Sequence, residues 1–175
     1  MRRSRIVSRA LSVGVALLVF GVAGSAQGSF PGRNGKIAYE RQVAPGDYDI
    51  YVMEPDGSGR TRLTSNRYIW DIMPSWSPDG TKIAFASDRQ ANWDVYLMNA
   101  DGSGQTSLTG PATADWDPTW SPWGTRIAFL RDVDDASDIF VMNADGTGQV
   151  NLTNTPRNES EPSWSPDGTR IAYTR

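Results

Sequence analysis

Residues 76–85 read WSPDGTKIAF, residues 120–129 read WSPWGTRIAF and residues 164–173 read WSPDGTRIAY, each copy 44 residues after the one before. A second block recurs between them: DIYVMEPDGSGRTRLT from Asp49, DVYLMNADGSGQTSLT from Asp94 and DIFVMNADGTGQVNLT from Asp138. FPGRNGKIAY, from Phe30, is a degenerate first copy that keeps only its GKIAY end. A fixed period of this length marks a chain made of stacked supersecondary units, not one built on a single large core.

The residues of one unit set out four short strands. PSW around Trp76 ends at Pro78, and Asp79-Gly80 is a turn pair because glycine takes positive φ freely while aspartate bonds its own backbone. KIAFAS, DVYLMN and QTSLT follow as the second, third and fourth strands, with ADGSG as a hairpin turn between the last two. In the second strand Ile83 and Phe85 point one way and Ala84 and Ala86 the other. In the third, Val95 and Leu97 oppose Tyr96 and Met98. Both faces are apolar, so every sheet expects a neighbour on each side. Four strands, two buried faces and a period near 44 describe a β-propeller blade. The fold class is therefore all-β, a propeller of four-stranded blades spanning about 30–64, 74–109 and 118–153, with the first two strands of a fourth at 162–175. The ring is incomplete.

The W-S-P-D-G…I-A-F…D-I-Y-V-M…D-G…L-T pattern resembles the repeat of TolB-type β-propellers, over residues 30–175. That resemblance implies an extracytoplasmic six-bladed propeller that docks a protein partner. Six blades at this period need roughly 260 residues, so the chain is expected to be a piece of a longer propeller. An alternative is a fragment of a propeller-linked hydrolase. Open blade faces are expected to make it self-associate.

The N-terminus has a different character. Arg2, Arg3, Arg5 and Arg9 precede an apolar run from Ala10 to Gly24, and small residues surround Ala26. This is the layout of a secretory signal peptide covering 1–26, with 27–175 as the exported, periplasmic or extracellular, propeller. The run is shorter than the roughly 20 apolar residues of a transmembrane helix, so no stable membrane insertion is expected after cleavage. Cleavage removes four arginines and no acid. It leaves 13 Lys and Arg against 20 Asp and Glu, a net charge of −7. Such a chain repels nucleic acid, and cations or basic partners suit it better.

The chain holds no cysteine and no histidine. That removes Cys/His zinc sites, cysteine nucleophiles and histidine triads. Ser58 and Ser103 sit in D-G-S-G hairpin turns and not in a G-x-S-x-G elbow, so no enzyme activity is expected. A carboxylate pair such as Asp115 and Glu159 is the one catalytic arrangement that spacing leaves open.

Residues present in every copy serve the blade. By that test Trp76, Trp120 and Trp164 are packing residues, and Asp49, Asp94 and Asp138 are hydrogen-bonders at strand entry. The SPDG and ADGSG turns share one rim. The opposite rim carries the connections that vary, 41–48, 65–73, 88–93, 110–117, 132–137 and 154–161. Binding concentrates on variable loops held by a rigid scaffold, so the candidate partner-binding residues are the non-repeating Trp70, Trp93 and Trp116. Asp71, Asp115 and Glu159, each three residues before a proline, are the candidate metal ligands; calcium would want several such oxygens. No other cofactor is expected. Asp117 and Glu161 add an acid one residue before two of those prolines. Asp132, Asp134 and Asp135 match only the first positions of a calcium loop, and Trp123, in place of a turn aspartate, is exposed.

Overall fold

The computed structural model describes residues 35–175; the expected signal peptide at 1–26 and the start of the degenerate first copy at 30–34 lie outside them. The described residues contain no helix. They form thirteen strands: β1 (Ile37–Ala44), β2 (Asp47–Met53), β3 (Thr61–Arg62), β4 (Asp71–Trp76), β5 (Lys82–Ser87), β6 (Asp94–Asn99), β7 (Thr106–Ser107), β8 (Asp115–Trp120), β9 (Arg126–Val133), β10 (Ala136–Asn143), β11 (Val150–Asn151), β12 (Ser160–Trp164) and β13 (Ile171–Thr174). All pair antiparallel with their chain neighbours, as four separate sheets: β1–β3, β4–β7, β8–β11 and β12–β13. These are propeller blades one to four, of which two and three are complete at four strands.

β4, β8 and β12 lie beside one another from blade to blade, the arrangement of innermost strands around an axis. Alternation fills the joints between blades. At the first joint Ile50 and Val52 of blade one meet Ile83, Phe85, Tyr96 and Met98 of blade two. At the second, Ala84 and Val95 meet Trp120, Ile127, Phe129 and Met142. Each such side chain taken from water contributes about 1.5–3 kcal/mol, which explains why both faces of the second and third strands are apolar.

Three repeated contacts index one blade on the next. The Trp120 indole N–H donates to the Ser75 carbonyl at 3.2 Å, and that of Trp164 to the Thr119 carbonyl at 3.2 Å. The D-G glycines of blades two and three lie against the residue just after the fourth strand of the blade before, where a Cβ on Gly102 or Gly146 would sit 2.8 Å from the carbonyl oxygen of Leu63 or Leu108. The amide of Gln105 or Gln149 donates to that same carbonyl at 3.3 Å. The SPDG glycines Gly80, Gly124 and Gly168 have φ of 70°, 68° and 64°, the left-handed region their turns require. Trp123 is 74% exposed on that rim, lying against Gly168 of the next blade.

Two boundaries differ from the sequence reading. The first strand of blades two to four begins two or three residues earlier, so Asp71 and Asp115 open strands, and Glu159 directly precedes one, instead of standing in loops. These strands carry a bulge before the proline, marked by register shifts at Ile72/Ser75, Trp116/Thr119 and Ser160/Ser163 and by positive φ at Met73, Asp117 and Glu161. Proline has no N–H for the ladder and is accommodated at a bulge, which is how Pro74, Pro118 and Pro162 fit inside paired strands. The fourth strand is the other difference: only Thr106–Ser107 of QTSLT pairs as a ladder.

Candidate binding rim

In blades one to three a buried aspartate at or near the start of the third strand is tied to the threonine two residues after the short fourth strand. Thr64 Oγ1 accepts the Ile50 N–H at 2.9 Å and donates to Asp49 at 3.2 Å. Thr109 treats Val95 and Asp94 alike, and Thr153 treats Ile139 and Asp138 alike. The repeated Asp…Leu-Thr pattern is thus a clamp that fixes the end of the hairpin. On it rest the connections that vary.

The residue before that aspartate faces the next blade. Tyr48 donates its N–H to Ile69, Trp93 accepts from the Asp115 N–H and Ser137 from the Glu159 N–H, at 3.0, 2.8 and 2.8 Å. Two of these three residues are aromatic, and Trp70 lies between them. Its ring is 4.8 Å from that of Tyr48 and 6.3 Å, edge-on, from that of Trp93. Asp88 holds the Trp70 backbone by accepting its N–H at 2.8 Å. Tyr68, two residues earlier, has φ 58° and is 72% exposed, with the Arg67 guanidinium 5.8 Å from its ring centre. The rim therefore carries an aromatic cluster of Tyr48, Trp70 and Trp93 at the first joint, 40% exposed at Trp70, with the exposed Tyr68 nearby in the chain.

Of the candidate partner-binding residues, Trp70 and Trp93 are brought together. Trp116 is not with them: it lies in β8, half-buried, opposite Leu130. Tyr48 and Tyr68 were missed. Tyr48 had a legible signal, since it occupies the position of Trp93 one repeat earlier; Tyr68 had only its failure to repeat.

The candidate metal ligands do not converge. Asp71 is fully buried and paired with Arg89 at 2.7 Å, Asp115 is fully buried and held by Arg131 at 2.6 and 3.0 Å, and Glu159 accepts from Thr155 at 2.6 Å and Thr153 at 3.1 Å. Among the described residues no group of three or more Asp, Glu, His or Cys side chains is placed to hold a metal ion. Arg89 and Arg131 also lie 4.3 and 4.7 Å from the Tyr96 and Phe140 ring centres and donate to Gln105 and Gln149. These acids are anchors within their blades. Sequence spacing aligned them, and the arginines it did not pair them with explain their burial. Asp117 differs, because burial pushes its carboxyl above the ordinary range, against the Glu161 N–H and with the Glu161 charge adding to the rise.

The six variable connections together carry ten acidic and four basic side chains, against ten and eight on the remainder of the described residues. The excess lies in 110–117, 132–137 and 154–161, with seven acids against one base, whereas the three connections that carry the aromatic cluster balance at three and three.

No family model matches the chain. A 59-residue stretch, 34% of the chain, is 49% identical to a protein TolB homolog of Chlorobium luteolum, of which it covers 13%. The fold superposes on the crystal structure of TolB from Acinetobacter baumannii with a TM-score of 0.70 and 23% identity, over 79% of this chain and 35% of that one. It superposes on the putative TolB of Agrobacterium tumefaciens with a TM-score of 0.63 and 26% identity, over 81% and 55%. The chain thus spans about a third to a half of these solved propellers. In repeat sequence and in fold the chain is similar to TolB-type β-propellers.

Proposed function

We propose that the chain is an exported protein-binding module that engages a partner through its variable-loop rim. The observation that carries this reading is the chain of contacts from Tyr48 through Trp70 to Trp93, with a second exposed aromatic, Tyr68, two residues before Trp70. Rigid aromatic side chains with one face in solvent are the usual anchors of protein interfaces. The uniform rim carries a single exposed aromatic among its described turns, Trp123, which lies against Gly168 of the next blade, and its turns are otherwise spent on Asp and Ser hydrogen bonds. Residues 1–26 supply the export, to a periplasmic or extracellular location.

Cross-linking of the full chain in a native envelope extract tests the binding. The wild type should capture a partner that the Tyr68→Ala and Trp70→Ala variants lose while keeping the wild-type melting curve. An identical captured set from all three proteins would overturn the reading. A reporter fused after residue 26 should be recovered outside the cytoplasm; retention inside would remove the export claim.

A further inference from the structure

We infer that the two open ends of this arc bind a second copy of the chain, two copies closing one ring in which β12 of each supplies the first strand of the other's blade one. This goes beyond the rim reading and does not rest on it. Among the described residues no strand pairs with the edge of β1 turned away from β2, the edge on which β5, β9 and β13 hold β4, β8 and β12. The face of blade one beside that edge is uncovered as well. Ile83, Phe85, Tyr96 and Met98 of blade two are 0–4% exposed. Their equivalents in blade one, Ile37, Tyr39, Tyr51 and Met53, are half-buried or exposed, Ile37 at 42%. The far end is complementary: Val150 and Leu152 of blade three are 55% and 52% exposed, where Leu63 and Leu108 are half-buried against a glycine turn.

The contacts that index blade on blade are each half-made at these ends. Gly57 (φ 83°) has only the tip of Arg60 within 4 Å, whereas Gly102 and Gly146 each meet a leucine carbonyl. Arg60 holds the Gly57 carbonyl at 3.1 Å as Gln105 and Gln149 hold those of Gly102 and Gly146, so the turn is already set, and the second copy's Leu152 offers the carbonyl. Trp76 Nε1 is buried with no hydrogen-bond partner among the described residues. Trp120 and Trp164 donate to the residue before the previous tryptophan, Ser75 and Thr119. Continued around a ring, that series gives Trp76 the carbonyl of the second copy's Ser163. With β12 counted into its neighbour's blade one, each copy brings three blades. Closed propellers hold about four to eight blades, and six is the one multiple of three in that range. Two copies therefore close about a twofold axis, leaving no free edge. β1 and β13 are the same strand of the blade, and β13 gives way: it pairs with β12 at three positions, β1 with β2 at seven. The rival for the β1 edge is the chain's own segment 25–30, which keeps none of the W-S-P-D-G string.

Sedimentation of the full chain across the micromolar range is the first test. A dimer that grows no further is expected; a monomer throughout, or mass that keeps rising with concentration, overturns the inference. Ile37→Asp puts a charge in the shared joint at a position exposed in the single chain. It should raise the concentration at which the dimer dissociates by roughly tenfold or more, and an unchanged dimer overturns the joint. Because the chain has no cysteine, the strand pairing is tested directly by oxidation. Ser163 pairs with Ala172 in β13, and Ala38 holds the position of Ala172 in β1. A mixture of Ala38→Cys and Ser163→Cys chains should therefore form a covalent dimer that neither variant forms alone. No cross-link in the mixture overturns the pairing of β12 with β1. A chain carrying Ser29→Cys and Ala38→Cys tests the rival: closure of a disulfide within that chain, with none forming in the mixture, assigns the edge to the chain's own segment and overturns the inference.

Discussion

Blades two and three use the same scaffold and differ at one buried carboxylate. Asp138 accepts from Asn151 at 2.8 Å, from Thr153 at 3.2 Å and from the Thr155 N–H at 3.0 Å. Asp94, at the same place one repeat earlier, has only Thr109 at 3.4 Å, and its second oxygen has no hydrogen-bond partner. The cause lies in two substitutions between copies. Ser107 stands where blade three has Asn151, and Pro111, which has no N–H, stands where it has Thr155. The consequences are opposite. Burial pushes the Asp94 carboxyl above its ordinary value, with Thr109 opposing and the charge of Asp115 adding. In Asp138 burial acts the same way but is outweighed by the Thr155 N–H, Asn151 and Thr153, so its carboxyl is held below. Two copies of one repeat therefore spend the same residue differently, and the donors around it decide which.

The parts shared by the two blades should respond equally. Gly102→Ala and Gly146→Ala each put a Cβ 2.8 Å from a backbone carbonyl at φ 87° and 88°. Each should cost about 2–5 kcal/mol by denaturant melting, combining left-handed strain with a clash that backbone cannot relieve. Losses that differ by more than about 1 kcal/mol would break the equivalence of the joints.

The parts that differ should respond with opposite signs. Asn151→Ser should destabilise the protein by about 1–2 kcal/mol, because a buried carboxylate oxygen loses its donor. Ser107→Asn should stabilise it by about 0.5–1.5 kcal/mol by supplying the donor that Asp94 lacks. If both changes are neutral, the comparison has no energetic content.

Titration sharpens the same contrast. The lowered value at Asp138 means that its contribution is present above the unfolded pKa and lost as pH falls through the folded one. The raised value at Asp94 means that its contribution is present below the unfolded pKa and lost as pH rises through the folded one. Carboxyl chemical shifts followed from pH 7 to 2 should show Asp94 protonating before Asp138, and Ser107→Asn should narrow the gap. Coincident titration would contradict the assignment of donors. The smallest effect expected is that of calcium. Because Asp71, Asp115 and Glu159 are each engaged within their own blade or its approach, millimolar calcium should leave the melting temperature unchanged, and an upward shift would restore a shared site.

The repeat made the blade legible. The two outer limits of β5 and β6, the apolar faces of Ile83, Phe85, Val95 and Tyr96 and the glycine turns all follow from periods of two within a period of 44. What lay beyond reading was whatever depends on a neighbour. Arg89 and Arg131 occupy different steps in their copies, one past the second strand and one within it, yet reach matching Asp–Gln–aromatic pockets. Alignment cannot pair residues that arrive at one place by different routes. The bulges were hidden for a related reason: a proline reads as an interruption until a partner strand shows that pairing resumes on either side. The aromatic cluster was half visible, since Trp70 and Trp93 stood out as unrepeated, but only the fold brings Tyr48 across the joint to meet Trp70.

The seating of Gly102 on Leu63, and of Gly146 on Leu108, has an implication for descent. Every complete copy carries both a socket, the leucine carbonyl at its trailing edge, and a plug, the glycine turn that enters the socket of the copy before it. A tandem duplication of about 44 residues therefore brings its own fit at both borders. Lineages of such chains are free to gain or shed whole units without redesigning a joint, provided that the cut falls at the same phase of the repeat, whereas a cut at any other phase separates plug from socket.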